Sequence, residues 1–238
     1  MIRIDKLRFA WPQDCADCLN IEHLSVPAGR TLFLHGPSGS GKSTLLGLLA
    51  GVLVPRAGRV ELQGVAWASL PSSQRDARRA DHVGYIFQQF NLLPYLNALD
   101  NVLLPCRFSA LRRGRAEAAA GSARRAAESL LQRVGLPQAT WERRAGALSV
   151  GQQQRVAAAR ALIGSPEVVI ADEPTSALDT ALRDAFMALL LGECRTAGSA
   201  LVFVSHDRQL ATQFDAQLSL AEINLADQNP ADSPLSVA

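Results

Sequence analysis

The loop of residues 36–44 is the feature that most constrains what this chain can fold into. Its sequence, Gly-Pro-Ser-Gly-Ser-Gly-Lys-Ser-Thr, fits a phosphate-binding pattern of glycine, four residues and then Gly-Lys-Ser. A buried-strand pattern precedes it at 31–35, and a packed-helix pattern follows at 45–50. In that setting backbone N–H groups and a helix N-terminus surround phosphate oxygens. The residues predicted to bind phosphate are Gly36, Pro37, Ser38, Gly39, Ser40, Gly41, Lys42, Ser43 and Thr44.

Two side chains of this loop suit a nucleotide that carries Mg²⁺. Lys42 is expected to reach the β- and γ-phosphates, and the Ser43 hydroxyl to bind the metal ion. The alternative is a glycine-rich turn with an accidental lysine. Because lysine occurs in this chain only at positions 6 and 42, a chance match is disfavoured.

A phosphate loop also needs a carboxylate from the end of a neighbouring buried strand. The apolar run 168–171 ends in Asp172 and Glu173. Asp172 is predicted to hold Mg²⁺, and Glu173 to polarise the water that attacks the γ-phosphate. Two acids after an apolar strand can also be a solvated strand end, but a phosphate loop in the same chain favours a catalytic role for them.

A second anion-binding helix end is predicted at residues 148–152, Leu-Ser-Val-Gly-Gln, where a polar turn opens an alanine-rich helix. The candidate contacts there are Ser149, Gly151 and Gln152. One chain then has two phosphate-attracting ends and one phosphate loop. The simplest solution is a head-to-tail pair of chains, in which each helix end completes the partner's site.

Length, charge and hydropathy narrow the class of protein. A chain of 238 residues fits one domain with an insertion, and its net charge of +2 is too small to predict nucleic acid as the main partner. Residues 1–9 alternate apolar and charged types like an edge strand and lack a signal-peptide pattern, which predicts a cytoplasmic protein. No run approaches the roughly 18–20 apolar residues that span a bilayer, so membrane contact is predicted to be peripheral.

The cysteines give a weaker signal. Cys15 and Cys18 form a Cys-x-x-Cys pair, which is a motif of metal and redox sites. A structural zinc needs about four ligands, and no second Cys or His pair follows at finger spacing. Metal or redox chemistry is therefore the disfavoured interpretation.

The hydropathy pattern alternates strands and helices, which predicts an α/β fold. The predicted strands are near 3–9, 21–26, 31–35, 59–62, 83–88, 167–171 and 200–204. The predicted helices are 42–50, about 115–134, 151–163, 180–197 and 206–214. Since about 90–160 has no good strand, we predict a helical subdomain there, within a single domain of residues 1–226 that is followed by a polar tail at 227–238.

In combination and order, these motifs resemble those of the ATP-binding subunits of ABC transporters, over about residues 2–220. Residues 36–44 resemble the Walker A motif, 168–173 the Walker B motif and 148–152 the signature sequence. The resemblance implies a P-loop NTPase core with a mainly parallel sheet, an N-terminal antiparallel β subdomain and an α-helical insertion. It also implies ATPase activity with ATP and Mg²⁺ as cofactors.

Further positions are assigned by the resemblance alone. Gln88, after Tyr-Ile-Phe, is similar to the Q-loop glutamine, which implies contact with Mg²⁺ or the attacking water. His206 matches the switch histidine that stabilises transition-state charge, and Asp179 matches the D-loop aspartate at the dimer seam. Trp11 stands where the family places an adenine-stacking aromatic, commonly Tyr. Ser149 and Gly151 are implied to contact the γ-phosphate of ATP in the other chain.

The signature departs from the usual Leu-Ser-Gly-Gly-Gln at Val150. A β-branched residue resists positive φ, so hydrolysis suffers if this turn needs a left-handed backbone. If the backbone is helical or extended, valine is harmless, and this second interpretation is favoured.

Residues 90–94 and 101–105 resemble the lipoprotein-releasing, macrolide-export and cell-division subgroup. A groove for a permease helix is expected from the apolar Leu92, Leu93, Tyr95 and Leu96. Arg112, Arg113 and Arg115 are expected near anionic lipid headgroups, or alternatively on a solvated helix face.

The leading hypothesis is an ATP-hydrolysing subunit that dimerises on ATP and drives separate transmembrane permease subunits from the cytoplasmic face of the inner membrane. The alternative is a non-transport ABC ATPase that scaffolds a cell-division or envelope complex. A DNA-maintenance ATPase is a distant third, since no long coiled-coil insertion fits. Small P-loop kinases and GTPases are disfavoured because the chain has no Asn-Lys-x-Asp motif.

Overall fold

The computed structural model describes residues 1–176, 178 and 180–226. The strands are β1 (Ile2–Phe9), β2 (Leu19–Val26), β3 (Thr31–His35), β4 (Ala57–Leu62), β5 (Val65–Ala66), β6 (Val83–Ile86), β7 (Val168–Asp172), β8 (Ala200–Val204) and β9 (Ala216–Ser219). The α-helices are α1 (Lys42–Leu49), α2 (Ser72–His82), α3 (Ala98–Phe108), α4 (Ala110–Ala120), α5 (Ala123–Arg133), α6 (Val150–Leu162), α7 (Thr180–Ala197) and α8 (Leu220–Ile223). Short 3₁₀ helices lie at Trp67–Ser69, Gln138–Thr140, Ala145–Ala147 and Arg208–Gln213.

The larger sheet has the strand order β6-β7-β8-β3-β9, and every neighbouring pair is parallel. All five residues of β8 are buried, as expected where helices cover both faces of a parallel sheet. The predicted α/β core with a mainly parallel sheet is confirmed. Because the carboxyl ends of parallel strands meet at one edge, β3, β7 and β8 deliver the phosphate loop, Asp172 and His206 to that edge.

The smaller sheet is antiparallel, with the order β2-β1-β4-β5, and confirms the predicted N-terminal β subdomain. β1 pairs with β2 on one side and with β4 on the other, so its interpretation as an edge strand was wrong. Alternating burial along β1 reflects one covered face and one solvent face. That pattern shows which face is buried, but it does not show whether the strand is an edge.

Helices α3 to α6 lie between β6 and β7, in the region of the predicted helical insertion. The single helix predicted at about 115–134 is in fact α4 and α5. Gly121 ends α4 in the left-handed conformation (φ 79°), and the Ser122 hydroxyl caps α5 by accepting a bond from the Arg125 N–H. The helix predicted at 206–214 is instead the 3₁₀ helix Arg208–Gln213. The domain end at 226 stays a prediction, since 227–238 lie outside the described residues.

Two apolar cores lie on opposite faces of the parallel sheet. In β3, Phe33 packs with Phe203 and the helices α3 to α6, whereas Leu32 and Leu34 pack with α1 and the antiparallel sheet. The helical part is therefore anchored to one face of the core, which fixes α6 relative to the strand ends. Of the helices in the described part of the chain, none is long and apolar enough to cross a membrane.

Candidate nucleotide site

The phosphate loop connects β3 to α1, and its backbone requires glycine at two places. Gly39 and Gly41 have φ of 79° and 92°, values that side chains disfavour. A Cβ atom at Gly41 would also lie 2.9 Å from the Leu19 Cδ2 atom. The N-terminal β subdomain, through Leu19, therefore packs directly against the phosphate loop.

The interior of the loop is suited to an anion. The Lys42 Nζ donates hydrogen bonds to the carbonyls of Gly36 (2.9 Å) and Pro37 (2.7 Å), so its ammonium lies within the loop. The Ser40 hydroxyl is buried and has no hydrogen-bond partner in the described part of the chain. A buried hydroxyl without a partner is costly, and phosphate oxygens would satisfy it. These groups fit the phosphates of a nucleotide.

Ser43 and Asp172 meet across the loop, as predicted for the two sides of a metal site. The Ser43 hydroxyl donates to the Asp172 Oδ2 atom at 3.2 Å. Burial raises the pKa of Asp172, a change that the hydrogen bond from Ser43 opposes. A hydroxyl beside a partly desolvated carboxylate is a donor set that Mg²⁺ accepts. The metal role of this pair stays a prediction.

Two of the three predicted catalytic side chains, Glu173 and His206, are in contact; the third is Gln88. The Glu173 Oε2 atom lies 3.2 Å from the His206 Nδ1 atom. Glu173 has a φ of 44° and precedes Pro174, a combination that costs on the order of 1–3 kcal/mol. Its N–H donates to the Val204 carbonyl at 3.0 Å, which ties this strained residue to β8. Strain of this kind is typical of functional sites.

Gln88 lies two residues beyond β6, at the same edge of the sheet, and is exposed. Phe90 and Asn91, two and three residues after Gln88, have positive φ values of 60° and 47°. The Arg160 guanidinium of α6 donates to both of their carbonyls, at 2.5 and 2.7 Å. Burial lowers the pKa of Arg160 to about 10. The turn after Gln88 is therefore fastened to α6.

Trp11 follows β1 near the phosphate loop. Its ring meets the Phe9 ring edge to face at 5.3 Å, and Phe9 pairs with Leu19, the residue that approaches Gly41. Trp11 is 42% exposed and lines a cavity of about 430 Å³. An exposed aromatic face at this position supports the predicted stacking on a nucleotide base, which stays a prediction.

The signature turn is a regular helix start. Ser149 and Gln152 form a capping box, in which the Ser149 hydroxyl accepts from the Gln152 N–H (3.3 Å) and the Gln152 Oε1 atom accepts from the Ser149 N–H (3.0 Å). Val150 is the first residue of α6, half exposed and without positive φ, so valine causes no backbone strain. A Cβ atom at Gly151 would meet nothing within 4 Å.

The structure does not bring this turn to the phosphate loop of its own chain. The cavity of about 210 Å³ beside Gly151 is lined, within the described residues, by α5 and the two residues that follow it, by α6 and by α7, and by no residue of 36–44. The turn is therefore available to another molecule. The predicted Asp179 lies outside the described residues.

Two residues that the sequence analysis missed connect α6 to the site: Arg160, and Gln154, which donates to the Pro174 carbonyl at 2.7 Å. Gln154 shares a helix face with Ala157, Ala158 and Ala161, all buried. The sequence does contain a signal for Gln154, since it is the one amide on a helix face of alanines. A buried amide needs a specific hydrogen-bond partner, so such a position predicts a contact with another segment.

The apolar groove differs from the predicted one. A cavity of about 470 Å³ is lined by Val52, Phe87, Leu104, Pro105 and Phe108 among other residues, and not by Leu92, Leu93, Tyr95 or Leu96. Leu92 packs against the helical core, so that part of the prediction was wrong. Phe108 (76% exposed) and Val52 (57%) leave the groove open to a partner.

The prediction for the arginine run was wrong at Arg112. Arg112 is 2% exposed and donates to the carbonyls of Ile163 and Ala161, both at 2.7 Å, so it cannot face lipid. Burial lowers its pKa to about 10. Arg115 pairs with Glu167 at 2.7 Å, and Arg113 is exposed. Arg112 thus has a structural role, which the sequence could not separate from a surface charge.

Cys15 is an exposed free thiol and Cys18 is a half-buried one. Burial raises the pKa of the Cys18 thiol. Within the described residues no three His, Cys, Asp or Glu side chains are grouped as metal ligands. Nothing in this geometry assigns the pair a chemical role.

The family model described as "ABC transporter" matches residues 19–176. Among curated relatives, the ABC transporter ATP-binding protein YbbA of Escherichia coli is 43% identical, with 86% of each chain covered. The lipoprotein-releasing system ATP-binding protein LolD of Anaeromyxobacter dehalogenans is 43% identical over 87% of this chain and 84% of its own. The macrolide export ATP-binding/permease protein MacB of Chromobacterium violaceum is 37% identical over 90% of this chain and 32% of its own.

Solved structures give the same result. The ATP-binding cassette MJ0796, in a dimeric post-hydrolysis state bound to ADP and Pi, superimposes with a TM-score of 0.80 and 33% identity. That match covers 92% of this chain and 94% of the other. A second dimeric structure of MJ0796 gives a TM-score of 0.77 and 32% identity.

Proposed function

Because the chain belongs to the ABC transporter family of ATP-binding cassettes, we propose that it hydrolyses Mg-ATP as a head-to-tail dimer and thereby drives a separate membrane permease. One observation carries the dimer: the catalytic groups at the sheet edge and the signature turn on α6 do not meet within one chain. Two antiparallel copies would bring the turn of each onto the phosphates held by the other. The dimeric MJ0796 structures support this arrangement.

On binding, the Lys42 ammonium exchanges the carbonyls of Gly36 and Pro37 for phosphate oxygens, and the Ser40 hydroxyl gains an acceptor. Trp11 offers a ring face to the base. Ser43 and Asp172, with Gln88 nearby, would hold Mg²⁺, which would neutralise charge on the phosphates when bound. These residues fix the nucleotide and leave its γ-phosphate facing the partner.

For the chemical step, Glu173 is the general base that takes a proton from the attacking water at a carboxylate oxygen. His206, in contact with the Glu173 Oε2 atom, is placed to hold the γ-phosphate oxygens as charge shifts during in-line transfer. The partner's contribution comes from the Ser149 hydroxyl and Gly151 N–H of the second copy. The helix N-terminus adds its positive dipole end.

The permease is proposed to bind in the apolar groove between α2, α3 and the segment after β6. Phe87, one residue before Gln88, lines this groove, so a helix seated there touches the turn that leads to the γ-phosphate. The similarity to LolD, an ATP-binding protein of a lipoprotein-releasing system, and to MacB, a macrolide export ATP-binding/permease protein, supports a role in a transport system. A subunit with this partner works at the cytoplasmic face of the inner membrane.

The dimer is tested by sedimentation velocity on the Glu173→Gln variant, which should retain ATP without hydrolysing it. We expect a shift from monomer to dimer on addition of Mg-ATP, and none with Mg-ADP. A chain that stays monomeric in saturating Mg-ATP would overturn the proposal.

The groove is tested by copurification with membranes that contain the permease. Phe108→Ser should abolish ATP-dependent retention of the chain, while the matched control Leu111→Ser, at an exposed residue of α4 outside the groove, should not. Both variants should keep basal ATPase activity. If the membranes retain both variants equally, the permease binds elsewhere on the chain. If the membranes retain the wild-type chain but it hydrolyses no ATP, a scaffold is favoured over a transport ATPase.

A further inference from the structure

Gln154 is a polar residue in an apolar setting that has no place in the proposed chemical step. It lies in the second turn of α6 with 2% of its surface exposed. Its Nε2 atom donates to the Pro174 carbonyl at 2.7 Å. Because a buried amide that loses its partner is costly, this bond fixes the distance between α6 and the segment after β7.

The segment that Gln154 holds carries the proposed catalytic base. Glu173 precedes Pro174 and has a φ of 44°, a conformation that persists only where the surroundings enforce it. Two hydrogen bonds enforce it here: the Glu173 backbone N–H donates to the Val204 carbonyl, and the Pro174 carbonyl accepts from the Gln154 side chain. β8 anchors the segment on one side and α6 on the other.

The same helix carries the signature turn at its N-terminus. Ser149 and Gly151 precede Gln154 by five and three residues, and a capping box keeps this first turn intact. A short, regular helix moves as one unit, so a displacement at its start is felt at Gln154. In the proposed dimer that start contacts the ATP of the partner.

We propose that Gln154 is a positioning residue that holds Glu173 in its strained geometry and makes it responsive to nucleotide in the opposite site. This inference rests on the proposed dimer. ATP held by the partner contacts Ser149 and Gly151 and displaces α6. The hydrogen bond of Gln154 then transmits this displacement to Glu173 of the chain that carries α6. The two sites of a dimer then hydrolyse ATP cooperatively.

The test replaces the amide with groups that cannot donate. Gln154→Met keeps length and helix propensity, and Gln154→Ala is a second variant that avoids any misfit of the larger side chain. The matched control is Gln153→Met on the adjacent position of α6, where the amide donates to the Leu148 carbonyl at 3.0 Å. Steady-state ATPase rates of the full-length chain are measured against ATP concentration.

Wild type and the Gln153 control should show a Hill coefficient clearly above 1, with the two sites of the dimer as its ceiling. The Gln154 variants should fall to about 1, with kcat reduced about tenfold and KM within about twofold, since positioning acts on the transition state. Unchanged kcat and Hill coefficient in Gln154→Met, or a wild-type Hill coefficient of 1, would overturn the proposal.

A second measurement separates this proposal from the dimer itself. In the Glu173→Gln background, Gln154→Met should still dimerise with Mg-ATP as the parent does. If the parent does not dimerise, the proposed function fails. If the parent dimerises and Gln154→Met lowers only the melting temperature, with kcat and the Hill coefficient unchanged well below that temperature, Gln154 is merely structural and the present inference fails.

Discussion

Carboxylates at the two ends of β7 experience opposite surroundings. At the amino end, Glu167 accepts hydrogen bonds from Arg115 at 2.7 Å and from His82 at 2.9 Å. Burial opposes its ionisation, but these hydrogen bonds prevail and lower its pKa to about 2. At the carboxyl end, Asp172 accepts from the Ser43 hydroxyl, burial prevails, and the pKa is raised.

The difference shows which end of the strand serves stability and which serves chemistry. The charge of Glu167 is compensated within the chain, so it stabilises the fold. Asp172 is left undercompensated, so its charge depends on a bound cation for compensation, and the next residue, Glu173, has a strained backbone. Function lies where local stability has been given up, a trade-off that active sites commonly make.

The largest effect is expected for Glu173→Gln. Since a general base typically contributes 10²–10⁴-fold, kcat should fall about 10³-fold. Glu167→Gln, the same change at the other end of β7, should leave kcat within about twofold. ATPase assays on both purified variants check this, and equal losses would show that the two ends do not divide function from stability.

Glu167→Gln should instead lower the free energy of unfolding. A pKa reduced from 4.5 to about 2 corresponds to at most about 3 kcal/mol at neutral pH, and solvent screening of this partly buried group lowers that contribution. A depressed carboxyl pKa stabilises the fold above pH 4.5, and this contribution is lost as the pH falls towards 2. Urea unfolding across this range should therefore show the gap between wild type and variant closing at low pH. A gap independent of pH would contradict the ion-pair explanation.

Asp172→Asn should change stability in the opposite direction. Because the folded chain disfavours the ionised carboxyl, a neutral amide of the same shape should raise the free energy of unfolding and the melting temperature. Mg²⁺-dependent ATPase activity should be lost. Calorimetry without nucleotide checks this, and a destabilised variant would show that Asp172 is already well compensated.

The smallest effect is expected for Val150→Gly. Val150 has a helical backbone and a half-exposed side chain, so the ATPase rate should change by less than about tenfold, or 1.4 kcal/mol of barrier. Val150→Ala is the control for loss of the side chain without added backbone freedom. A much larger gain for glycine alone would mean that the turn leaves the helical conformation when it closes on nucleotide.

The parallel core and the meeting of Ser43 with Asp172 were predictable from sequence, because each follows from local patterns and one topological rule. Buried strands carry their own hydropathy signal, and parallel strands end at a common edge. Glycine at positions 39 and 41 likewise indicates a backbone with positive φ, which other residues disfavour. These features need no knowledge of which distant segments pack together.

Other features depended on that knowledge. The burial of Arg112 rests on carbonyls at positions 161 and 163, about fifty residues away, and nothing near Arg112 indicates it. The central place of β1 depends on β4 pairing with it, and the groove depends on Val52 and Phe108 lining the same cavity. The break at Gly121 and Ser122, by contrast, has a local signal, because a glycine followed by a serine is typical of one helix ending and the next beginning.

The position of Lys42 has a consequence for titration experiments. Its ammonium already has two oxygen acceptors, Gly36 and Pro37, in the nucleotide-free chain. A measured ATP affinity therefore reports an exchange of one set of oxygen partners for another, and is weaker than the phosphate contacts alone would give. Lys42→Met would remove the contacts of the ammonium with phosphate and also its bonds to the Gly36 and Pro37 carbonyls. The measured fall in ATP affinity is the difference between the two, so it understates how strongly the lysine holds phosphate.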